Sequence, residues 1–179
     1  KGEQLAGDYL SVNPQGLVPA LVTDDGLVLS QSLAIIDWLD ETHPVPPLLP
    51  ADPAERARVR SIALAIACDI HPLNNLRVLN YLSNTLGVTA EQRTGWYRYW
   101  IDLGFEALEK HLAGDPRSGP FCHGSSPTLA DVCLVPQVAN ARRFQVDLSP
   151  YPAIARIDAA CAALPAFADA APARQPDAE

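Results

Sequence analysis

The sequence is short of positive charge, of paired cysteines and of long apolar runs. Thirteen Lys and Arg stand against 21 Asp and Glu, for a formal net charge of -8. That deficit excludes a nucleic-acid surface, because binding a phosphate backbone by counterion release needs clustered cations. No apolar run approaches the roughly 20 residues that span a bilayer, so no membrane partner is expected. The four cysteines, Cys68, Cys122, Cys133 and Cys161, are scattered and form no Cys-x-x-Cys pair. Scattered thiols point to a reduced, cytoplasmic protein and not to a disulfide framework. None of them stands in a nucleophile's context: Cys68, Cys133 and Cys161 fall in apolar helical patterns, and Cys122 falls in a loop where it is open to oxidation. His43, His111 and His123 lack metal-ligand spacing, so no metal is expected.

Proline, by contrast, is plentiful. The 17 prolines fall mostly between helical patterns. Val45-Pro46-Pro47-Leu48-Leu49-Pro50 has fixed φ angles and few amides, and reads as a stiff connector. The expected organisation is a first domain over residues 1–44, a linker over 45–52 and an all-helical domain over 53–179. A chain of 179 residues suits one or two such small domains with a sizeable core.

The most informative stretch runs from Asn13 to Ser32. Pro14 and Gly16 punctuate the chain, and Val18-Pro19 opens a strand, where proline's missing amide is tolerated and a cis bond is accessible. Asp24-Asp25-Gly26 is a hairpin signal between Leu21-Val22 and Leu27-Val28-Leu29. Gln31-Ser32 then precedes an amphipathic helix carrying Leu33, Ile36 and Leu39, widened by Ile35 and Trp38. Ser32 is the expected N-cap, so its hydroxyl and the free amides of the helix face one point that suits a carboxylate.

Asp52-Pro53 restarts helical structure as a cap followed by proline at the first position. The periodicity predicts one long helix from Ala54 to about Leu82. Val59, Ile62, Ala63, Ile66 and Ile70 lie on its apolar face, Arg56, Arg58 and Arg60 on the solvated side, and Pro72 bends it. A second helix is predicted over Thr89 to about Leu112, with Trp96, Trp100, Leu103, Leu108 and Leu112 inward. Ser126-Pro127-Thr128-Leu129-Ala130-Asp131 has capping-box spacing, with Asp in place of the usual Glu, and is read as structural. The helix it opens runs toward Arg143. Tyr151-Pro152 starts a last helix, and a Pro/Ala-rich tail follows from Ala171 to Glu179.

Several blocks together resemble the zeta class of glutathione transferases. They are Asn13-Pro14-Gln15, Gln31-Ser32-Leu33-Ala34-Ile35-Ile36, Cys68-Asp69-Ile70-His71-Pro72-Leu73-Asn74-Asn75-Leu76, Ala141-Arg142-Arg143-Phe144, Tyr151-Pro152 and Arg174-Gln175-Pro176-Asp177, while Val18-Pro19 with Gln31-Ser32 resembles the glutathione-binding half of glutathione transferases at large. The resemblance covers essentially the whole chain. It implies an α/β plus all-α fold: a thioredoxin-like N-terminal domain followed by the transferase helical bundle. It also implies that the first β-α-β unit, with the serine-containing turn that hydrogen-bonds the glutathione sulfur, is absent from this chain.

The class includes maleylacetoacetate isomerase and the bacterial maleylpyruvate isomerases. The resemblance therefore implies glutathione as cofactor and a small dicarboxylic keto acid as substrate, isomerised by reversible thiolate addition to its cis double bond. By resemblance Gln15, Val18, Gln31 and Ser32 bind glutathione, Val18 through its backbone only. His71 and Asn75, four apart on one helix face, join them. Arg143 and Arg77 are the substrate-binding and catalytic residues, because a dicarboxylate needs guanidinium forks. The alternatives are plain helix caps at Gln31-Ser32 and, for Arg143, a charge closing its helix C-terminus. Conversion of maleylacetoacetate to fumarylacetoacetate is the leading expectation. Maleylpyruvate isomerisation, a general zeta-class transferase activity and a truncated non-enzymatic interaction module are the others. A homodimer is expected by the same resemblance.

Overall fold

The computed structural model describes residues 2–176 and 178. Asp177 and Glu179, named in the tail above, lie outside the described residues. The chain divides into two compact units, Lys1–Leu48 and Leu49–Glu179.

In the first unit a 3-10 turn (Glu3–Leu5) and helix α1 (Gly7–Val12) lead into strands β1 (Ala20–Val22) and β2 (Val28–Ser30) and helix α2 (Ser32–Thr42). Buried Asn13 organises the turn after α1. Its Nδ2 donates to the Leu17 carbonyl at 2.7 Å, its Oδ1 accepts from the Gln15 amide at 3.1 Å, and the Tyr9 hydroxyl reaches the same carbonyl at 2.7 Å. Gly16 sits at φ 61, and a Cβ there would lie 3.0 Å from Leu5, so this corner needs glycine. The expected hairpin is present: β1 and β2 are antiparallel with Leu21 opposite Leu29, and Gly26 turns at φ 86. The Thr23 hydroxyl bonds the Asp25 carboxylate inside that turn.

The second unit is helical. Asp52 caps α3 (Pro53–Leu64) by accepting the amides of Ala54 at 2.9 Å and Glu55 at 3.0 Å. The single bent helix to Leu82 is not found. From α3 the chain passes into a π-helical segment, Ala65–Ile70, and a 3-10 turn, His71–Asn74. It is extended at Asn75 (φ -64, ψ 145) before α4 (Leu76–Asn84) begins. Pro72 offers no amide to the preceding turn, so the helix unwinds instead of bending. Asn75 then caps α4, accepting the Arg77 amide at 3.1 Å.

Helix α5 (Ala90–Gly114) opens with a reciprocal box: the Thr89 amide donates to Gln92 at 2.8 Å and the Gln92 amide to the Thr89 hydroxyl at 3.1 Å. Its buried face is Tyr97, Ile101, Phe105, Leu108 and Leu112, while Leu103 is 48 % exposed. Leu108 and Leu112 face inward as expected, whereas in the first half of the helix Tyr97 and Ile101 take the places expected for Trp96 and Trp100. Tyr97 stacks on Phe144 at 3.5 Å between centroids, and Trp96 instead turns its indole N–H to the Leu73 carbonyl at 2.9 Å. Helices α6 (Leu129–Arg143), α7 (Pro152–Ala162) and α8 (Pro165–Asp169) complete the unit. Glu109 of α5 caps α7 from outside, accepting the amides of Ala153 at 2.8 Å and Ile154 at 3.0 Å. The core joins Val59, Ile62, Ile66 and Ile70 to Ile101 and Phe105, Leu134 and Val138, and Ile154 and Ile157, all exposed by 2 % or less.

Gly104 is where α5 comes closest to the π-helical segment: a Cβ there would sit 2.3 Å from Ile70 Cδ1. Helix propensity favours alanine at such a site by ~1 kcal/mol, but overpacking a closed core costs about 1–3 kcal/mol. Gly104→Ala is therefore expected to lower the urea midpoint. A midpoint at or above the parent's would mean that Ile70 swings aside freely.

Arg58 corrects another expectation. It is 6 % exposed, not solvated. Its Nε donates to Asp115 at 2.8 Å, Nη1 to the Cys122 carbonyl at 2.8 Å and Nη2 to the Ser118 hydroxyl at 2.8 Å. The loop after α5 folds back over α3 and encloses it. Asp115 is held well below the ordinary carboxylate range, first by the Arg117 side chain and amide, then by Arg58. A carboxylate depressed in the folded state contributes stability that is present above its unfolded pKa of about 3.9 and is lost as the pH falls below it. The parent is expected to lose stability between roughly pH 5 and pH 2 more steeply than Asp115→Asn, read by urea unfolding across that range.

Candidate functional site

In the first unit, Gln31 follows β2 at φ 74 and α2 begins at Ser32, so Gln31 and not Ser32 occupies the capping position. Among the described residues no side chain makes a capping hydrogen bond to this helix start. The amides of its first turn therefore point outward with the exposed Ser32 hydroxyl among them. Gln31 Nε2 donates to Gln15 Oε1 at 2.9 Å, joining the turn after α1 to the helix start. The register, Ala20 opposite Ser30, sets Val18 and Pro19 at the same end of the ladder. The Val18–Pro19 bond is cis, and Val18 is 71 % exposed. Four of the residues named from sequence thus share one corner. Its chemistry fits glutathione: outward amides and a hydroxyl for a carboxylate, and two side-chain amides for peptide groups.

In the second unit, Tyr97 links two surfaces. On one side Asn74 Nδ2 donates to the Tyr97 carbonyl at 3.2 Å, holding the 3-10 turn that carries exposed His71. His71 and Asn75 do not share a helix face, because the chain unwinds between them. Exposed Arg77 follows in the first turn of α4, its guanidinium without a hydrogen bond or ion pair among the described residues. On the other side, Phe144 stacked on Tyr97 carries Arg143, whose Cζ lies 5.9 Å from the Phe144 centroid. Burial raises the Tyr97 phenol above its ordinary range, and the Arg143 charge partly offsets this. Arg142 is committed to nearly buried Asp158 at 2.6 Å. Arg143 is exposed and, among the described residues, makes no hydrogen bond or ion pair.

The thiols are arranged differently from the sequence reading. Cys122, expected in an open loop, is buried, and burial drives its thiol well above the ordinary range. Cys161 is pushed up to about 12, first by burial and then by Asp131. Cys133 is pushed up to about 11 by burial. Cys68 is exposed, because the π-helical register turns it away from the face set by Ile62 and Ile66. Among the described residues no group of three or more His, Cys, Asp or Glu is placed to hold a metal ion, and no helix is long and apolar enough to cross a membrane. Tyr97 and Arg98, which hold the Arg143 corner, were not singled out from sequence. Their partners at that corner are 46 positions or more away, and no local pattern announces them.

Residues 1–42 match the model of the glutathione S-transferase N-terminal domain, and residues 101–173 that of the C-terminal domain. The maleylpyruvate isomerase of a Ralstonia species is 54 % identical over 177 residues, covering 99 % of this chain and 83 % of that one. A holo structure of maleylpyruvate isomerase, described as a bacterial zeta-class glutathione S-transferase, superposes with a TM-score of 0.96 at 53 % identity, covering 99 % of this chain and 83 % of that one. The maleylacetoacetate isomerase of Methylobacterium extorquens, solved with malonate and glutathione, gives a TM-score of 0.96 at 42 % identity with the same coverage. The small two-stranded sheet with its helices, and the helical unit after it, are those of this fold. The chain belongs to the glutathione S-transferase family and, within it, to the zeta class.

Proposed function

We propose that the protein is a glutathione-dependent cis–trans isomerase that converts maleylacetoacetate to fumarylacetoacetate. The observation that carries this reading is the chain-long match to isomerases of maleylacetoacetate and maleylpyruvate. Glutathione supplies a thiol that adds reversibly to the cis double bond, allows rotation about it and is regenerated. Residues 1–44 form the glutathione-binding domain, 45–52 the linker and 53–179 the substrate domain. Gln31, Ser32 and the first amides of α2 hold the γ-glutamyl end, Gln15 the peptide part, and the Val18 backbone the cysteinyl part. His71 and Asn75 add polar contacts, Asn75 through its amide nitrogen, since its oxygen caps α4. Arg143 and Arg77 take the two carboxylates of the substrate. Both guanidiniums are exposed, and a relative binds the dicarboxylate malonate together with glutathione. Arg143, whose guanidinium lies 5.9 Å from the Phe144 ring centroid, also stabilises negative charge that develops on the conjugated carbonyl. The enzyme works in the cytoplasm as a homodimer: scattered unpaired thiols suit a reducing compartment, and exposed Leu64 and Leu103 offer apolar surface to a second copy.

Maleylpyruvate is the second substrate to test, because the relative at 54 % identity is named for it. The purified protein should be given each keto acid with substoichiometric glutathione and the fumaryl product followed by chromatography. Turnover beyond the glutathione added is expected. A stable conjugate without isomerised product would assign a general transferase, and inertness toward both acids would overturn the enzymatic reading.

A further inference from the structure

We propose that Arg98 is a positioning residue for Arg143, fixing the corner that presents its guanidinium to the substrate. The proposal rests on the reading of Arg143 as the carboxylate fork. Helix α6 ends in a Schellman motif: the Gln145 amide donates to the Arg142 carbonyl at 3.0 Å and the Val146 amide to the Ala141 carbonyl at 2.9 Å. The left-handed position of that motif usually holds glycine, yet Gln145 occupies it at φ 58. A side chain in that region is strained, and its surroundings must offset the strain. Arg98 does so from α5. Its Nε donates to the Phe144 carbonyl at 2.7 Å, and its Nη2 donates to Gln145 Oε1 at 3.2 Å, a contact that glycine has no side chain to accept.

The planar fork of Arg98 thus sets the orientation of the peptide that follows Phe144, one residue beyond Arg143. Tyr97, the preceding residue of α5, holds the Phe144 ring from one face with an interplanar angle of 10°. Neighbouring residues of one rigid helix therefore fix both the backbone and the side chain of Phe144. The direction of Arg143 follows from the two together. The alternative task of closing the helix C-terminus is met by Arg98, which leaves Arg143 unpaired among the described residues.

The test compares Arg98→Met, Gln145→Gly, Arg143→Met and the double variant Arg98→Met/Arg143→Met. Arg98→Met is expected to raise KM for the dicarboxylate about tenfold with KM for glutathione unchanged. Gln145→Gly relieves the backbone, so its thermal midpoint should hold or rise while KM for the dicarboxylate still increases about threefold. In the Arg143→Met background, Arg98→Met should add nothing to KM, because the group it positions is gone. Multiplying effects in the double variant, an equal rise in both KM values, or an unchanged KM in Gln145→Gly would overturn the proposal. If Arg143→Met alone leaves the dicarboxylate KM unchanged, the Arg143 reading fails and the positioning role falls with it. If Arg143→Met raises KM and Arg98→Met does not, only the positioning role is lost.

Discussion

Arg143→Gln is expected to lower kcat/KM for the dicarboxylate substrate about a hundredfold, a loss of ~2.7 kcal/mol of transition-state stabilisation. That is the scale of a charge-assisted bidentate hydrogen bond removed from a bound substrate. Stability should change by less than ~0.5 kcal/mol, because the guanidinium is exposed and carries no ion pair among the described residues. Glutathione affinity should stay level, since Arg143 is not among the residues proposed to hold glutathione. Arg143→Lys should recover only part of the loss, because an ammonium is a point charge and cannot match a carboxylate with two parallel donors. The adjacent arginine gives the contrast. Arg142→Gln strands Asp158, whose side chain is 6 % exposed and whose ion pair is 2.6 Å long. It should therefore cost stability and leave kcat/KM nearly intact. An Arg143→Gln enzyme within threefold of the parent in kcat/KM would remove this residue from the substrate site.

What could be read from sequence was local, and what could not was set by distant partners. The hairpin, the Asp52–Pro53 start and the Thr128–Asp131 box each rest on signals within a few residues, and each is found in place. Gln15 and Gln31 were named from one short stretch, and their side chains meet at 2.9 Å. The cap of α2 lies one residue earlier than the expected Ser32, because a glutamine and not a glycine takes the positive φ at position 31. Arg58 looked like part of a solvated stripe of arginines. It is enclosed by groups 57 to 65 positions later, so no window of its own helix reveals its burial. The break after α3 follows the same rule. Periodicity carried the pattern past Pro72, but Trp96 and Asn74 fasten the unwound turn to α5 across 23 positions. Arg98 is the case with consequence for function, as it lies on the half-exposed side of a helix whose apolar face drew attention elsewhere.

The largest expected loss of stability is at Asp131. The residue is fully buried, and three N–H and O–H donors converge on its carboxylate, with the weakly donating Cys161 thiol 3.9 Å from Oδ1. The Thr128 amide and hydroxyl reach Oδ2 at 2.8 Å each, and the Cys122 amide reaches Oδ1 at 2.8 Å. One side chain therefore closes the start of α6 and pins the loop that also carries the Cys122 carbonyl held by Arg58. Asp131→Ala leaves those donors buried without acceptors, and each stranded donor costs about 1–3 kcal/mol. A total near 3–5 kcal/mol is expected, a large share of the ~5–15 kcal/mol that holds a domain folded. Asp131→Asn is the sharper test because its shape is unchanged. Both oxygens face N–H groups, so whichever way the amide turns, its NH2 meets a donor, and the loss should approach that of alanine. Thr128→Ala removes only the hydroxyl donor and leaves the backbone amide at that position still bonded, so it should cost ~1 kcal/mol. Urea unfolding of the three variants orders them. Near-parental stability in Asp131→Asn would show that at least one oxygen has no donor against it, and the box would then be an ordinary surface cap instead of the buried junction between α6 and the loop over α3.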